Sequence, residues 1–313
     1  MRLEIALGDM GAEAVAAARG GPPPFPFRDE PSVGPLSAPT APGFAPMRAR
    51  FWAETLGFMA DAGAPDPEAA LPGHYAALSS AIAGAGEVAF WLAGSAQEAV
   101  ALALVEALAE AAGAALFVMP CGAAEEEGRG VAERPPPVLA AAEAMALGPE
   151  ARARLAAFRA ALLAPEAAPL REEAARAPAP GDPLACLRAA AASRLARLPD
   201  PTRGLGADEA RMIDALGPDW TLAAAALGRA LRAPGPDRLG DLWLWRLTRE
   251  MADPALGAPL IALRGDPARP RAAEARLTGF GRAVQAGETS RLARAGLVRD
   301  LGGLRLRHPP PAE

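Results

Sequence analysis

The sequence contains no lysine and no asparagine, so all 32 of its basic side chains are arginines. A phosphate-binding loop of the GxxxxGKS/T type requires a lysine, and so does a Schiff base with a carbonyl substrate or pyridoxal phosphate. Both kinds of chemistry are therefore excluded. The simplest source of these two absences is a GC-rich coding bias rather than an adaptation.

Cysteine and histidine are scarce, with two residues of each. Cys121, Cys186, His74 and His308 are too far apart in the sequence to suggest a closed zinc site, and neither cysteine belongs to a CxxC pair. We therefore predict no bound metal and no cofactor, and we interpret both cysteines as reduced thiols that pack in the interior.

Long apolar segments are also missing. The longest, residues 88–120, is interrupted by Glu98, Glu106 and Glu110, which leaves no run of about 20 apolar residues to span a membrane. Residues 1–5 lack the basic start and apolar run of a signal peptide. We expect a cytoplasmic protein with no membrane contact.

Charge is distributed unevenly along the chain. Residues 1–150 contain 7 arginines and 19 acidic residues, a net charge of −12, whereas residues 151–313 contain 25 arginines and 18 acidic residues, a net charge of +7. This asymmetry favours two domains and is compatible with an anionic partner for the second half. Mutual attraction between the two halves explains it equally well.

The pattern of the first 120 residues predicts a small α/β domain. Strand-like segments alternate with helical ones, and the clearest unit is a strand at 88–93, a helix at 95–112 and a strand at 115–119. Two strands joined by a helix with short turns form a parallel, right-handed crossover. With further strands at 2–7 and 25–28, residues 1–120 are expected to form a small doubly wound parallel sheet of about four strands.

The remainder of the chain is predicted to be mainly helical. Residues 121–180 have the composition of a linker with helices, including the acidic run at 125–127. Residues 181–313 are predicted to form a winged-helix-like C-terminal domain, because three helices precede two strands and a short helix. The helices are placed at 207–216, 221–232 (with Thr221 as its N-cap) and 238–252, and the strands at 259–264 and 275–278.

Polar turns follow three strands of the predicted sheet. Because the carboxyl ends of parallel strands meet at one edge, where the amino termini of helices attract anions, these turns are expected to bind a small polar or anionic ligand. The candidate ligand-binding residues are Gly8, Asp9, Arg28, Asp29, Ser32, Gly34, Ser95 and Glu98.

Each turn also has a purely structural interpretation. The first lacks the complete GxGxxG pattern, so it does not indicate a dinucleotide site and is explained by an ordinary strand-to-helix turn. Asp29 and Ser32 would stabilise the second turn through hydrogen bonds to the backbone. Ser95 and Glu98 have the spacing of a capping box, which accounts for both residues without a ligand.

Two aromatic features of the sequence are candidates for further sites. His74 lies beside Tyr75, but no serine or cysteine nucleophile is placed to work with it, so a packed or solvated histidine is favoured. Trp243 and Trp245 lie about 200° apart on a helical wheel, so both cannot face one core. We expect Trp245 to be buried against the wing strand, against the helices of 183–198, or at an interface with a second subunit or protein partner.

The third helix of the C-terminal domain has few basic residues on its free face. Only Arg246 and Arg249 qualify, whereas a helix that reads DNA presents several polar and basic side chains. We therefore do not expect this domain to bind nucleic acid.

Several segments together resemble a bacterial family, domain of unknown function 1835. They are residues 3–9 (a strand followed by Gly-Asp), 27–35 (FRDEPSVGP), 51–52 (FW) and 88–98 (VAFWLAGSAQE). Residues from 194 onward resemble the C-terminal extension of proteobacterial members, in segments such as LGDLWLWRL and ARLTGFGRAVQAGE. The chain departs from the family at Pro31, where a large apolar residue is usual, and at Ala96, where asparagine is common. The family has no established activity, so the resemblance implies an architecture and draws attention to the turn at 28–35, but names no substrate.

The leading interpretation is a non-catalytic protein that binds a small anionic or polar ligand at the strand ends of its α/β domain. One alternative is an enzyme that acts on a phosphorylated or nucleotide-like compound, with Asp9 or Asp29 as the acid–base group and Arg28 holding the anion. Another is a transcriptional regulator or a protein-interaction adapter that works through the C-terminal domain, with Trp245 in contact with its partner.

Overall fold

A computed structural model describes residues 1–57, 66–122, 129–177, 179, 181–233, 239–266 and 268–308. The predicted acidic run at 125–127 and the predicted start of the third C-terminal helix at residue 238 lie outside these residues. The chain divides into two compact units. The first contains residues 1–51, 67–195 and 300–304, and the second contains residues 52–66, 196–299 and 305–313.

The first 120 residues contain five strands and four helices among the described residues, and a mainly helical stretch follows. In chain order the elements are β1 (Arg2–Leu7), α1 (Gly8–Arg19), β2 (Phe25–Phe27), β3 (Gly34–Pro35), α2 (Phe44–Leu56), α3 (Pro67–Ala83), β4 (Glu87–Leu92), α4 (Ala96–Ala112), β5 (Ala115–Pro120), α5 (Pro136–Ala141), β6 (Met145–Ala146), α6 (Pro149–Leu163), α7 (Ala168–Ala175) and α8 (Cys186–Ala196).

The core of the first unit is a five-stranded sheet in the order β2-β1-β4-β5-β6. The first four strands are parallel, which confirms the predicted mixed α/β fold with a parallel sheet. The chain moves from β1 to β2 on one side and later to β4 on the other side of β1, so the order reverses between β1 and β4. In doubly wound sheets, ligands bind beyond the carboxyl ends of the strands at such a point.

Continuous apolar sequence explains the central strands. Five of the six residues of β4 are buried, as expected for a parallel strand covered on both faces by helices. The crossover helix α4 begins directly after Ser95, which caps it, and it ends at Gly113, whose φ of +70° places it in the left-handed region that favours glycine.

Two strands of the first unit have no sequence pattern that predicts them. Strand β6 is only two residues long and pairs antiparallel to β5, so the sheet has one strand more than the four expected. Strand β3, also two residues long, pairs in parallel with Leu301 and Gly302 near the end of the chain. Neither strand is long enough to show the alternation by which a strand is recognised in a sequence.

The second unit contains helices and a small antiparallel sheet. Its elements, with the last two strands of the chain, are α9 (Ala207–Asp214), β7 (Thr221–Leu222), α10 (Ala223–Arg232), α11 (Asp241–Met251), β8 (Ile261–Gly265), β9 (Ala273–Leu277), α12 (Gly279–Gln285), β10 (Leu297–Gly302) and β11 (Leu304–His308).

Thr221 does not cap α10 as predicted. It lies in β7 and pairs with Ala275 of β9, while Leu222 occupies the position before the helix and gives it no side-chain cap. Strand β9 also pairs with β8, so the sheet has the order β7-β9-β8 with every pair antiparallel.

Buried ion pairs organise the interior of the second unit. Glu209 is 3% exposed and accepts hydrogen bonds from Arg291 and Arg299, while Asp208 accepts from Arg197 and from the indole nitrogen of Trp243. The two arginines hold the pKa of Glu209 below its ordinary value, although burial alone would raise it. These pairs hold Trp243 in the core, where it is 5% exposed.

No helix among the described residues is both long enough and apolar enough to cross a lipid bilayer.

Candidate functional site

The carboxyl edge of the parallel sheet brings together the first residues of the three predicted turns. Strands β1, β2 and β4 end at Leu7, Phe27 and Leu92, and they are parallel neighbours in the order β2-β1-β4. The residues that follow them therefore leave the sheet at the same edge, as the sequence predicted from strand polarity.

Asp9 and Arg28 form an exposed ion pair at this edge. Arg28 Nε donates to Asp9 Oδ1 at 2.9 Å and to Asp9 Oδ2 at 3.2 Å, and each side chain is 56% exposed. Their charges face solvent, so a ligand in solution can reach both. This is the part of the predicted site that remains accessible.

Gly8 begins α1 in a conformation that suits glycine. Its φ is +67°, in the left-handed region, and a Cβ placed on it would meet no other atom within 4 Å. Leu7 precedes the helix and provides no side-chain cap. Asp9 is the second residue of α1, so its pair with Arg28 lies at the amino terminus of the helix, where the partial positive charge favours anions.

His74 of α3 lies beside this pair. The backbone N–H of Arg28 donates to His74 Nε2 at 3.2 Å, and the imidazole lies 5.5 Å from the ring of Phe25. Burial lowers the pKa of His74 below its ordinary value, and the positive charge of Arg28 lowers it further. The imidazole is therefore neutral near pH 7 with its proton on Nδ1, and Nε2 does not have a free lone pair for use as a general base.

Asp29 is not part of the accessible site. It is 4% exposed, and Arg48 donates to both carboxylate oxygens, from Nε to Oδ2 at 2.7 Å and from Nη2 to Oδ1 at 2.8 Å. The hydroxyl of Tyr75 also donates to Oδ2, at 2.6 Å. Asp29 was predicted to contact a ligand, but its carboxylate instead holds α2 and α3 against the turn after β2.

Arg48 extends this structural cluster along the turn. Its Nη1 donates to the carbonyl oxygens of Val33 at 2.6 Å and Pro35 at 3.1 Å, and its Nη2 donates to that of Glu30 at 2.8 Å. Burial and the carboxylate of Asp29 together raise the pKa of Tyr75 well above its ordinary value, so the phenol stays protonated and donates. One guanidinium thus satisfies three carbonyls and a carboxylate in the interior.

Ser32 and Gly34 are also buried by the fold of this turn. The backbone N–H of Ser32 donates to Glu30 Oε1 at 3.0 Å, and its carbonyl accepts from Arg194 at 3.2 Å. Gly34 has a φ of +77°, and a Cβ there would lie 2.6 Å from the ring of Phe51, so only glycine fits. Both residues shape the loop and do not face the accessible edge.

Ser95 and Glu98 form the capping box of α4. Glu98 is 1% exposed, and its Oε2 accepts from the backbone N–H groups of Ala93, Gly94 and Ser95 at 2.9–3.2 Å. Its Oε1 accepts from the N–H of Val131 at 2.6 Å. Burial raises the pKa of Glu98 although all four donors favour the charged form. The structural interpretation of this turn accounts for both side chains.

Trp245 is completely buried within the chain, with 0% of its surface exposed. Burial of this indole was predicted. Since it presents no surface to solvent, the single chain already covers it, and we do not include a subunit or protein contact through Trp245 in the proposal below.

Neither the two cysteines nor the metal-ligating side chains of the described residues form a second candidate site. Cys121 and Cys186 are buried free thiols, and burial raises the pKa of each to about 12, so neither forms a thiolate near neutral pH. Within the described residues, no group of three or more histidine, cysteine, aspartate or glutamate side chains is placed to hold a metal ion.

Some residues that bond to these turns lie far from them in the sequence, and the sequence did not predict their roles. Arg48 and Tyr75 reach Asp29 from α2 and α3, and Arg134 donates to the carbonyl of Ala93 at 2.7 Å. An arginine or tyrosine in an amphipathic helix has no local feature that reveals a buried partner. The sequence shows His74 beside Tyr75, but it does not predict that His74 lies beside Arg28.

The chain matches no model of a known protein family, and no curated protein is similar enough to match it. The resemblance to domain of unknown function 1835 stays a prediction.

Proposed function

We propose that the first unit binds a small polar or anionic ligand at the carboxyl edge of its parallel sheet, without catalysing a reaction. The observation that supports this best is the solvent-facing pair of Asp9 and Arg28 beside the first turn of α1. Asp9 follows β1, one of the two strands between which the strand order reverses, and ligands usually bind near such a point in a doubly wound sheet.

The ligand chemistry follows from the groups that remain accessible. Arg28 provides a planar guanidinium that suits a phosphate or carboxylate, and α1 adds the amides of its first turn. An anion that binds Arg28 competes with Asp9, whose carboxylate can then accept from a hydroxyl or amine of the same ligand. A compound that has an anionic group next to hydroxyl or amino groups satisfies both residues.

The enzyme alternative is weaker because its acid–base candidates are few. Asp29 is buried and bound by Arg48 and Tyr75, so it cannot accept a proton from a substrate at the exposed edge. His74 Nε2 already accepts from a backbone N–H. Asp9 is the remaining candidate of those proposed from the sequence.

A thermal-shift screen tests the proposal. The panel contains inorganic phosphate, carboxylic acids, sugar phosphates and nucleoside phosphates, and a ligand present at about 100 times its Kd adds roughly 2.7 kcal/mol of stability. Arg28→Gln is expected to abolish the shift. Arg2→Gln is the matched control, since Arg2 forms an exposed pair with Glu87 at the opposite edge of the sheet. If Arg28→Gln kept the full shift, the ligand would bind elsewhere and the proposal would be wrong.

We further propose that the second unit is winged-helix-like. The order helix, strand, two helices and two strands, with β7 paired to β9, supports this assignment. We do not propose nucleic-acid binding, because α11 contains only two basic residues, Arg246 and Arg249. Two reduced, buried thiols are compatible with the cytoplasmic location that we propose.

A further inference from the structure

His74 is hydrogen-bonded to the backbone of the arginine that is proposed to bind an anion. The backbone N–H of Arg28 donates to Nε2 of His74, with 3.2 Å between the two nitrogens. The guanidinium of the same arginine pairs with Asp9, and its side chain is 56% exposed. A change at Nε2 of His74 therefore acts directly on the residue that carries the anion-binding group.

This hydrogen bond exists only while Nε2 of His74 carries no proton. A neutral imidazole has one nitrogen that donates and one that accepts, whereas both nitrogens donate in the imidazolium form. A proton that moves from solvent to Nε2 leaves two N–H groups directed at each other, one from His74 and one from the backbone of Arg28. The hydrogen bond between them is then lost, and both donors need a new acceptor.

An oxyanion beside Arg28 provides that acceptor. Its oxygens can accept from the protonated Nε2 of His74, from the backbone N–H of Arg28 and from the guanidinium. Hydrogen bonds in which both partners are charged are shorter and stronger than those to a neutral group, so an anion is a better acceptor here than water. The protonated form of the edge is therefore the form that suits an oxyanion.

The groups around His74 determine the direction of this coupling. Burial lowers the pKa of His74 most and the charge of Arg28 lowers it further, whereas the carboxylates of Asp29 and Asp9 raise it. Tyr75, whose ring lies 5.9 Å away, keeps its phenol protonated and neutral. A bound anion adds negative charge, as the two carboxylates do, and so favours the imidazolium form. Anion binding and proton uptake by His74 therefore favour each other, since such coupling is reciprocal.

We propose that the edge site takes up an oxyanion together with a proton, which binds to Nε2 of His74. This inference rests on the proposed function of the edge and adds its regulation. Near neutral pH, His74 and Asp9 hold Arg28 by its backbone and its side chain. At acidic pH the anion replaces both partners, so its affinity increases as the pH falls.

Calorimetric titration of the intact protein with sodium sulfate at constant ionic strength tests the inference. The charge of sulfate does not change between about pH 5 and about pH 8, so a pH dependence comes from the protein. Sulfate is expected to bind at least about tenfold more tightly at the acidic end, the ratio that one additional hydrogen bond to a charged group gives. Buffers with different ionisation enthalpies are expected to show proton uptake on binding. Affinity that does not change with pH, or no binding at any pH, would overturn the inference.

Variants identify the group that takes up the proton, since the sequence has only two histidines. His74→Gln keeps an oxygen that can accept from the N–H of Arg28 but has no basic nitrogen, so the pH dependence is expected to disappear. His308→Gln is the matched control, because His308 is exposed and contacts the carbonyl of Leu292, and it is expected to keep the pH dependence. Asp9→Asn is also expected to keep it. A pH dependence that persisted in His74→Gln, or that was lost in Asp9→Asn, would contradict the assignment.

The unmodified protein allows a measurement that does not depend on the folding of a variant. Proton NMR follows the imidazole signals across the acidic range in saturating sulfate and in chloride of the same ionic strength, with His308 as the internal control for salt effects. The pKa of His74 is expected to be higher in sulfate, and an equal or lower value would overturn the inference. Sulfate binding that is lost in Arg28→Gln but does not depend on pH would leave the edge site in place and overturn only its coupling to His74.

Discussion

Two aspartates of the first unit have opposite surroundings, and this contrast separates a structural role from a binding role. Asp29 is buried with Arg48 and Tyr75, whereas Asp9 forms an exposed pair with Arg28. Removing one partner of a buried ion pair leaves an uncompensated charge in the interior. Removing one partner of an exposed ion pair costs little stability, because water solvates the remaining charge.

We therefore expect Asp29→Asn to lower the free energy of unfolding by about 3–5 kcal/mol, and Asp9→Asn to lower it by less than about 1 kcal/mol. Urea denaturation of the two variants and the unmodified protein measures the difference. Similar losses in the two variants would contradict the roles assigned to these residues.

The titration of His74 reports on its surroundings at the edge. Its pKa is lowered by burial and by the positive charge of Arg28, so it is expected to titrate below the ordinary range of histidine. Arg28→Gln removes the charge and keeps the backbone N–H, so the pKa of His74 is expected to rise. Proton NMR across the acidic range measures both values. A fall, or no change, in the variant would contradict the effect assigned to the charge of Arg28.

The sequence located the turns of the candidate site better than it assigned their roles. Strand polarity placed Gly8, Arg28 and Ser95 at one edge, since that depends only on the direction of neighbouring strands. It did not separate Arg28, which is exposed, from Asp29, which is buried. That difference is set by Arg48 and Tyr75, whose helices pack against the turn only in the folded chain.

At the scale of elements, α4 and its amino-terminal turn are the best-predicted part of the fold. Continuous apolar sequence in β4 and β5, with a capping box between strand and helix, specified a parallel crossover. The two-residue strands β3 and β6 could not be predicted in this way. Their pairing comes from long-range contacts with Leu301 and Val118 and leaves no local pattern.

The carboxylate of Glu98 connects this turn to the segment around Val131. Four backbone N–H groups donate to it, so an amide nitrogen in place of one oxygen would face donors. Glu98→Gln is expected to lower the free energy of unfolding by about 1–3 kcal/mol.

The control for Glu98 is Glu110→Gln, on the same helix. Glu110 is 59% exposed and pairs with Arg159, and its replacement is expected to change stability by less than about 0.5 kcal/mol. Denaturant unfolding of both variants measures the two changes in the free energy of unfolding. A neutral result for Glu98→Gln would mean that the buried carboxylate is not important for stability.

At the scale of the whole molecule, the chain forms two units whose boundaries differ from the predicted segments 1–120, 121–180 and 181–313. The first unit extends to residue 195, so the helices after β5 belong to it, and it also includes residues 300–304. Composition suggested a linker where prolines interrupt these helices. Residues 301 and 302 pair with β3, and composition and periodicity do not predict a pairing between positions so far apart in the sequence.

The central claim is that a polar or anionic ligand binds at Arg28, and the two histidines allow a direct test. His74 lies at the proposed site, while His308 of β11 contacts the carbonyl of Leu292 in a separate part of the chain. A ligand identified by thermal shift should be titrated into the protein while the imidazole NMR signals of both residues are followed. We expect the His74 signal to move in a saturable manner, the His308 signal to stay in place, and Arg28→Gln to show neither binding nor movement. Saturable binding that leaves the His74 signal unchanged, or that persists in Arg28→Gln, would contradict the account.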